Sequence, residues 1–336
     1  MKDYSSIVIS SSVSLRRNLQ GFDFPATLDE KNGVKVLNKI ADTLLSNNKD
    51  YKIYRIKTLS EIDKNIMLEK GLISEKLIYN EEISAAILSK DEDNSVLVNE
   101  NDHIVECQKY DGLRLIEAYD KLNEFDNQLI SQLDVAYDNF LGFLTSSIDH
   151  VGTGLRANVD LFLPGLVITG RIRNAQAEIN NFGLDFQLTK TIGTKENDYA
   201  FSICNKLTIG KRETEYIVRM TELVIKICEM EIQARGELLE PKNLDDIKDK
   251  VFRAWGILTN CYKIDEIEAK NFLAEIKMGI ALNFIRFKEI NSIENLFCDI
   301  MPYSLTKISE NKVTSIELDK YRASFLANIL KTKRIK

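Results

Sequence analysis

Five polar residues follow one another directly after a short apolar segment whose alternation predicts a β-strand. They are Asn99, Glu100, Asn101, Asp102 and His103. Burying so many polar groups is costly unless they have hydrogen-bonding partners or a chemical role. Neighbouring carboxylates and an imidazole can orient a substrate or transfer a proton. This segment is therefore the first candidate for a functional site.

The composition is that of an ordinary globular protein, with 44% hydrophobic and 29% charged residues in 336. The length is enough for two domains. A net charge of −6 argues against a general nucleic-acid binder, which is usually basic. We find neither a signal-peptide pattern nor a run of about 18 apolar residues, which predicts a cytoplasmic protein with no membrane span. The five cysteines lack CxxC spacing and predict reduced thiols, not disulfides or a zinc site.

The N-terminal part of the chain mixes strand and helix patterns. We predict a short strand at 7–9 followed by a serine-rich turn, a helix at 29–46, and paired strands at 83–89 and 95–99. One or two helices are predicted over 112–143, and a glycine turn followed by an apolar strand or helix within 145–168. The remaining predicted elements are a helix at 170–182, two strands over 185–205, and a helix at 212–238.

Beyond Pro241 the pattern is almost wholly helical. The predicted helices are 244–260, 265–280, 289–300 and 315–332. We therefore place a boundary near 236–242, between a domain at 4–236 and a helical domain at 242–336.

The polar segment resembles the Asn-Glu-Glu-Asp-His signature of the ATP:guanidino phosphotransferases, with Asn101 in the place of a glutamate. Four further blocks resemble the same family in the same order, namely 16–25, 151–166, 201–215 and 250–265. The last is similar to the helical C-terminal domain of bacterial protein-arginine kinases. The resemblance implies an α+β fold, with a mainly antiparallel sheet flanked by helices, followed by an all-α C-terminal domain that often dimerises.

The family holds the ATP phosphates with arginines, whose guanidinium groups match phosphate oxygens and stay charged. By resemblance these arginines fall on Ser12, Ser14, Val105, Arg156 and Gln187. Of the five positions, only 156 still carries an arginine.

The family residues that orient the substrate guanidinium are also replaced in this sequence. The two family glutamates fall on Asn101 and Ile192, and the active-site cysteine falls on Ser147. Losing one transition-state contact commonly costs about 2.7–4 kcal/mol. The accumulated losses predict that phosphoryl transfer by the family mechanism is absent.

An alternative is an active enzyme that has rebuilt its site with Arg16, Arg17, Asp149 and Glu196. Against it, Arg17 matches a family arginine of its own, and replacing Ser14 by Arg16 means a shift of two residues along the strand. A rebuilt site would need several cations converging near Arg156, whereas a dead site would leave that arginine alone.

Several residues have both a functional and a structural interpretation. His103 and His150 could each be a base, or a hydrogen-bonding residue of the scaffold. The Gly-Thr-Gly at 152–154 resembles a phosphate cradle, but it is also typical of a tight turn. Asp319 and Arg322 match half of a phosphoarginine-binding motif of the protein-arginine kinases, although an i, i+3 pair also forms on ordinary helices.

The resulting hypothesis is a catalytically inactive relative of the protein-arginine kinases with a regulatory or binding role in protein quality control. The resemblance implies ATP with Mg²⁺ as ligands where binding is retained, and we predict no metal site of its own. It also implies protein partners: an active kinase, a zinc-binding activator, a stress-gene repressor or a Clp-type unfoldase, and a second copy of the chain.

Overall fold

The computed structural model describes residues 3–47, 50–189, 199–206, 208, 210, 212–287, 291–310, 313–314 and 316–335. The strands are β1 (Val8–Arg17), β2 (Tyr51–Arg55), β3 (Ala85–Ser89), β4 (Asn94–Val98), β5 (Ile104–Asp111), β6 (Tyr137–Asp138), β7 (Gly142–Phe143), β8 (Arg156–Phe162), β9 (Leu184–Leu188), β10 (Ala200–Asn205), β11 (Arg286–Phe287) and β12 (Arg334–Ile335). The helices are α1 (Glu30–Asn47), α2 (Glu61–Glu69), α3 (Glu75–Tyr79), α4 (Leu115–Ile130), α5 (Pro164–Ile168), α6 (Ile172–Asn181), α7 (Glu213–Leu238), α8 (Pro241–Asn260), α9 (Glu266–Ala281), α10 (Asn291–Asp299), α11 (Pro302–Ile308) and α12 (Leu318–Lys333).

Eight strands form one sheet in the order β2-β3-β4-β5-β1-β8-β10-β9. The pairs from β2 to β1 along this order are antiparallel. With helices around the sheet and a helical C-terminal part, the predicted α+β class is confirmed. The predicted strand pair 83–89 and 95–99 corresponds to β3 and β4, and the predicted helices 29–46, 170–182 and 212–238 correspond to α1, α6 and α7.

The serine-rich segment after Ile9 is not a turn, and the prediction there was wrong. Strand β1 continues to Arg17 because Val13 and Leu15 are completely buried on one face, at the two-residue period of a strand. Its backbone pairs with β5 from Ser10 to Arg17. Long-range pairing thus overrides the turn preference of serine.

The predicted helical stretch 112–143 is helical only to Ile130, where α4 ends. After it, β6 and β7 form a two-stranded hairpin whose tip carries Phe140, 95% exposed. The Asp138 carboxylate accepts hydrogen bonds from the backbone N–H groups of Phe140 and Leu141, both at 2.8 Å. Asp138 therefore stabilises the hairpin turn. The apolar periodicity of the sequence had predicted a helix there.

The chain divides into two compact units, of which the first comprises residues 1–160, 179–185 and 203–226. In it, α1 and α4 pack apolar side chains against the sheet strands β3 and β4, as at Leu37, Ile40, Leu129 and Ile87. A smaller cluster packs α2 and α3 against the sheet. This unit contains the polar segment 99–103.

The second unit comprises residues 161–178, 186–202 and 227–336. Helices α8, α9 and α12 pack together there, and α10 and α11 lie beside them. The Glu231 carboxylate accepts hydrogen bonds from the N–H groups of Gly165 (2.9 Å) and Leu166 (2.8 Å) and from Arg235 Nε (2.7 Å). The predicted domains at 4–236 and 242–336 stay a prediction. Among the described helices, none combines the length and hydropathy needed to cross a membrane.

Candidate functional site

The polar segment 99–103 is the loop that joins β4 to β5. Val98 pairs with Ile104 at its base, and the Asn99 N–H donates to the His103 carbonyl at 3.0 Å. Asn99 has φ +57°, a left-handed conformation that asparagine tolerates better than most residues. Its side-chain amide donates to the carbonyls of Gly33 and Ile83. The first residue of the segment is therefore part of the scaffold.

His103 is also held by the main chain. Its Nδ1 accepts a hydrogen bond from the Leu19 N–H at 3.0 Å, so the ring proton lies on Nε2, which donates to the Asp23 carbonyl at 3.0 Å. Burial lowers the pKa of this imidazole to about 4. The ring is therefore neutral at pH 7, with both nitrogens in use. The structural interpretation of His103 fits this geometry.

Asp102 is almost completely buried, at 1% exposure. Its Oδ1 accepts hydrogen bonds from Asn18 Nδ2 and from the Ser146 N–H, both at 2.7 Å. Its Oδ2 lies 4.0 Å from Arg16 Nε and has no hydrogen-bond partner among the described residues. Asp102 thus joins three distant parts of the chain, which no local sequence signal could have indicated.

Glu100 and Asn101 form a small hydrogen-bonded group at the top of this loop. One Glu100 oxygen accepts from the Ser74 hydroxyl at 2.8 Å, and the other accepts from the N–H and the Nδ2 of Asn101, both at 2.7 Å. Asn101 Oδ1 accepts from Lys76 Nζ at 2.6 Å. A neutral amide held between a lysine and a carboxylate has no site for a proton taken from a substrate.

The positions expected to carry phosphate-binding arginines lie on several strands. Ser12 and Ser14 share one face of β1, and Val105 on β5 is buried at 7% exposure. Arg156, at the start of β8, donates from Nη2 to the Cys204 sulfur at 3.0 Å. Gln187 is an exposed residue of β9 in the second unit. Of the expected arginine positions in the first unit, Ser12 and Ser14 therefore have short side chains and Val105 has an apolar one, and only Arg156 carries a guanidinium.

Arg17, one of the two suggested replacements, lies on the opposite face of β1 from Ser12 and Ser14. Its guanidinium is buried and makes two contacts with the Asp126 carboxylate, at 3.1 and 2.6 Å. It also donates to the Thr153 carbonyl and stacks on the Phe143 ring at 3.6 Å. These contacts leave Arg17 no role in holding phosphate, so that part of the rebuilt-site alternative is wrong.

Arg16, the other suggested replacement, lies on the same face as Ser12 and Ser14. A two-residue step along a strand keeps a side chain on one face, so the expected obstacle of the shift does not arise. Arg16 Nη1 donates to the Ser14 hydroxyl at 3.3 Å. Arg16 and Arg156 also act electrostatically on each other. Arg156 is therefore not the only cation in this part of the first unit.

Ser147, at the expected cysteine position, precedes a short 3₁₀ helix, Ile148–His150. Asp149 is exposed, and we observe no hydrogen bond between it and the His150 ring. Burial, assisted by the charges of Arg16 and Arg156, lowers the pKa of His150 to about 4. The Nδ1 of His150 is buried without a hydrogen-bond partner among the described residues.

Two expected site residues, Ile192 and Glu196, lie outside the described residues. Within the described ranges, no group of three or more His, Cys, Asp or Glu side chains is arranged to hold a metal ion.

The glycine turn is determined by close packing against β1. Gly154 has φ +72°, and a Cβ placed on it would lie 2.6 Å from both the Arg16 carbonyl oxygen and Arg17 Nη1. Its N–H donates to the His150 carbonyl at 2.9 Å. These contacts explain the glycine at 154 as a structural requirement.

We expect Gly154→Ala to lower the free energy of unfolding by about 2–4 kcal/mol, from backbone strain plus overpacking. Gly112→Ala is the matched control, because Gly112 has φ +71° but open space around its Cβ position. The control should lose only the strain, about 1–2 kcal/mol. Urea unfolding measures both, and equal losses would contradict the packing explanation.

The suggested phosphoarginine-binding residues lie on α12, where they contact each other. Arg322 is 2% exposed, and its Nη1 donates to Asp319 Oδ1 at 2.6 Å and to the Ile264 carbonyl at 2.9 Å. Its Nε donates to the Ile300 carbonyl at 3.0 Å. The guanidinium therefore connects three parts of the second unit, and phosphoarginine binding at Asp319 and Arg322 stays a prediction.

Comparison with known proteins shows the family to which this chain belongs. The family "ATP:guanido phosphotransferase, C-terminal catalytic domain" matches residues 33–234, and the "Protein-arginine kinase McsB C-terminal domain" matches residues 244–336. The protein-arginine kinase of Geobacillus thermodenitrificans is 32% identical over 332 residues, covering 97% of this chain and 91% of its own. That of Clostridium tetani is 32% identical over 330 residues, covering 98% and 96%.

Solved structures agree at the level of the fold. Lombricine kinase superposes with a TM-score of 0.60 at 19% identity, covering 71% of this chain and 68% of its own. The duplicated taurocyamine kinase of Schistosoma mansoni superposes with a TM-score of 0.63 at 22% identity, covering 80% of this chain and 41% of its own. With the near-complete match to the bacterial relatives, these findings show that the chain belongs to the protein-arginine kinase family of ATP:guanido phosphotransferases.

Proposed function

We propose that this protein is a catalytically inactive member of the protein-arginine kinase family that acts by binding other molecules in protein quality control. One observation carries the proposal. The side chain at 101 is an amide, hydrogen-bonded to Lys76 and Glu100, in the loop where the family signature has a glutamate. Phosphoryl transfer to a guanidinium depends on an oriented nucleophile, and an amide cannot supply the carboxylate.

The phosphate-binding positions support the same conclusion. Ser12 and Ser14 have hydroxyls where the family has guanidinium groups, and Val105 is buried and apolar. Losing a single preorganised contact costs about 2.7–4 kcal/mol, or a factor of 10²–10³ in rate. Several such losses exceed what a useful turnover can absorb, even when their effects are not additive.

The partners follow from the resemblance to protein-arginine kinases. An inactive relative can pair with an active kinase, or compete with it for a zinc-binding activator, a stress-gene repressor or a Clp-type unfoldase. Formation of a homodimer through the helical C-terminal part belongs to the same proposal. ATP with Mg²⁺ is the ligand that such a protein would retain without turnover.

The second candidate is an active kinase with a rebuilt site, and the position of Arg16 favours it. This guanidinium lies on the same face of β1 as Ser12 and Ser14, and the charge of Arg156 acts on it. The candidate still needs a carboxylate to replace the one missing at Asn101. Glu100 accepts three hydrogen bonds, one from Ser74 and two from Asn101, and is not free for that task.

Phosphotransfer distinguishes the two candidates. We expect purified protein with Mg-ATP and a basic protein substrate to give no phosphoarginine above the no-enzyme blank, measured by mass spectrometry near neutral pH. An active protein-arginine kinase is the parallel positive control. Phosphoarginine above the blank would overturn the proposal. If that activity were then lost in Arg16→Gln but kept in Arg114→Gln, the rebuilt site would be established.

A further inference from the structure

Glu106 places a carboxyl group in the interior of the first unit. It lies in the middle of β5, and its side chain is 0% exposed. The residues directly opposite it on the neighbouring strands are Leu15 and Val96, which are also completely buried. Opposite residues in an antiparallel pair project from the same face. Since Val96 belongs to the apolar cluster that packs α1 and α4 on the sheet, Glu106 points into that apolar layer.

The fold provides no hydrogen bond to this carboxyl group. Neither Oε1 nor Oε2 of Glu106 has a partner among the described residues. Glu231 of the second unit is equally buried, yet it accepts three hydrogen bonds, from two backbone N–H groups and from Arg235. An ionised carboxylate with neither donors nor a cation is so costly to bury that the group takes up a proton instead.

The nearest guanidinium is already occupied by another carboxylate. Arg17 is paired with Ile104 in the strand register, so Arg17 and Glu106 are diagonal neighbours on one face, roughly 7–8 Å apart. Arg17 makes four hydrogen bonds, two to the Asp126 carboxylate and two to backbone carbonyls. A guanidinium has five N–H donors, so most of its capacity is used. Its positive charge is matched by Asp126 and does not neutralise a second carboxylate.

The other ionisable groups that face Glu106 are acids. Helix α4 contributes Asp126, β2 contributes Tyr51, and Glu213 at the start of α7 acts on Arg17 and Asp126. The residues that α1 buries in this layer are apolar. Desolvation, assisted by Asp126 and opposed by Arg17, raises the pKa of Glu106 well above its ordinary value. Three carboxyl groups thus act on one guanidinium, which favours a proton on the one without hydrogen bonds.

We infer that Glu106 is a proton-binding site of the native fold, protonated at neutral pH, and that losing this proton destabilises the first unit. The unfolded chain releases the proton near the ordinary value of 4.5. The stabilisation is therefore complete below that pH and is lost as the pH rises through the higher folded value. Because β5 begins directly after the polar segment 99–103, ionisation acts on the strand that positions this segment.

The variant Glu106→Gln tests the inference on the full chain, because an amide has the size of the protonated carboxyl group and cannot ionise. Urea unfolding followed by circular dichroism gives the folding equilibrium constants between pH 5 and pH 9. We expect the constant of the unaltered protein, divided by that of Glu106→Gln, to fall about tenfold per pH unit from pH 5 to pH 7. The other titrating groups are common to both proteins and cancel in this ratio.

Glu117→Gln is the matched control, since Glu117 is an exposed carboxylate of α4 that pairs with Arg114. Its ratio to the unaltered protein should stay constant over the same range. If Glu106→Gln does not fold, Glu106→Met replaces it, because methionine is also unbranched and carries no titrating group. The ratio to Glu106→Met should fall with pH in the same way.

Infrared spectroscopy provides a second readout that does not depend on unfolding. At pH 7 we expect the C=O band of a protonated carboxyl group in the unaltered protein and in Glu117→Gln, with one such contribution missing in Glu106→Gln or Glu106→Met. A ratio that is constant between pH 5 and pH 7, or identical carboxyl bands in all the proteins, would overturn the inference. Neither measurement involves phosphotransfer, so this inference and the proposed function are tested separately.

Discussion

Arg17→Ala is expected to lower the free energy of unfolding by about 3–5 kcal/mol, the usual cost of breaking a buried ion pair by removing one partner. Arg17 and Asp126 are 2% and 3% exposed, so the remaining Asp126 carboxylate would be stranded away from water. It would also lie near Glu106, which is buried and whose pKa is raised by its own desolvation and by Asp126. Chemical denaturation monitored by circular dichroism measures the loss.

Two comparisons make this prediction specific. Arg114→Ala removes an exposed arginine that is paired with Glu117 and should leave stability unchanged within error. The double variant Arg17→Met with Asp126→Leu should recover much of the loss, because apolar side chains often replace a buried ion pair without penalty. A single variant Arg17→Ala that is as stable as the unaltered protein would show that the guanidinium is not needed by the fold.

His103→Ala is expected to cost about 2–5 kcal/mol of stability, because it leaves the buried N–H of Leu19 and carbonyl of Asp23 unpaired and opens a cavity. The two ring nitrogens now satisfy those groups, both at 3.0 Å. Urea unfolding at pH 7 measures the effect. A small effect would favour a binding or catalytic role for His103 instead of a structural one.

The pH dependence of stability gives an independent readout of His103. Its folded pKa of about 4 lies below the usual 6.5, so the unfolded chain binds one more proton between these values. The imidazole's contribution to stability is full above pH 6.5 and is lost as the pH falls towards 4, by about 3 kcal/mol. The stability difference between the unaltered protein and His103→Gln should shrink across that window. A constant difference would contradict the lowered pKa.

At the site formed by residues 99–103, the sequence predicted some features correctly and could not predict others. The contiguous letters and the ordered blocks were enough to indicate the family, because a motif is a local property of the chain. The amide at Asn101 could likewise be read from the sequence. The contacts of Asp102 with Asn18 and Ser146 could not, because the partners lie 84 and 44 residues away.

Two neighbouring arginines illustrate the same limit. The sequence alone offered both Arg16 and Arg17 as replacements for lost cations, although Arg17 matches a family arginine of its own. In the strand they project from opposite faces, so Arg17 is buried against Asp126 whereas Arg16 faces Ser14 and Asp102. A period-two pattern shows that successive residues alternate, but it does not say which face meets the core.

By itself, the sequence determined the family, the α+β class, the long helices α1 and α7 and the chemical identity of each changed site residue. These features depend on side-chain type and local periodicity, both of which can be read directly from the sequence. Only the tertiary structure decided that the serine segment extends β1, that His103 is held by the backbone, and that Arg16 stands opposite Val105. Each of these depends on which distant strand pairs with which and in what register, a choice set by burial across the whole core.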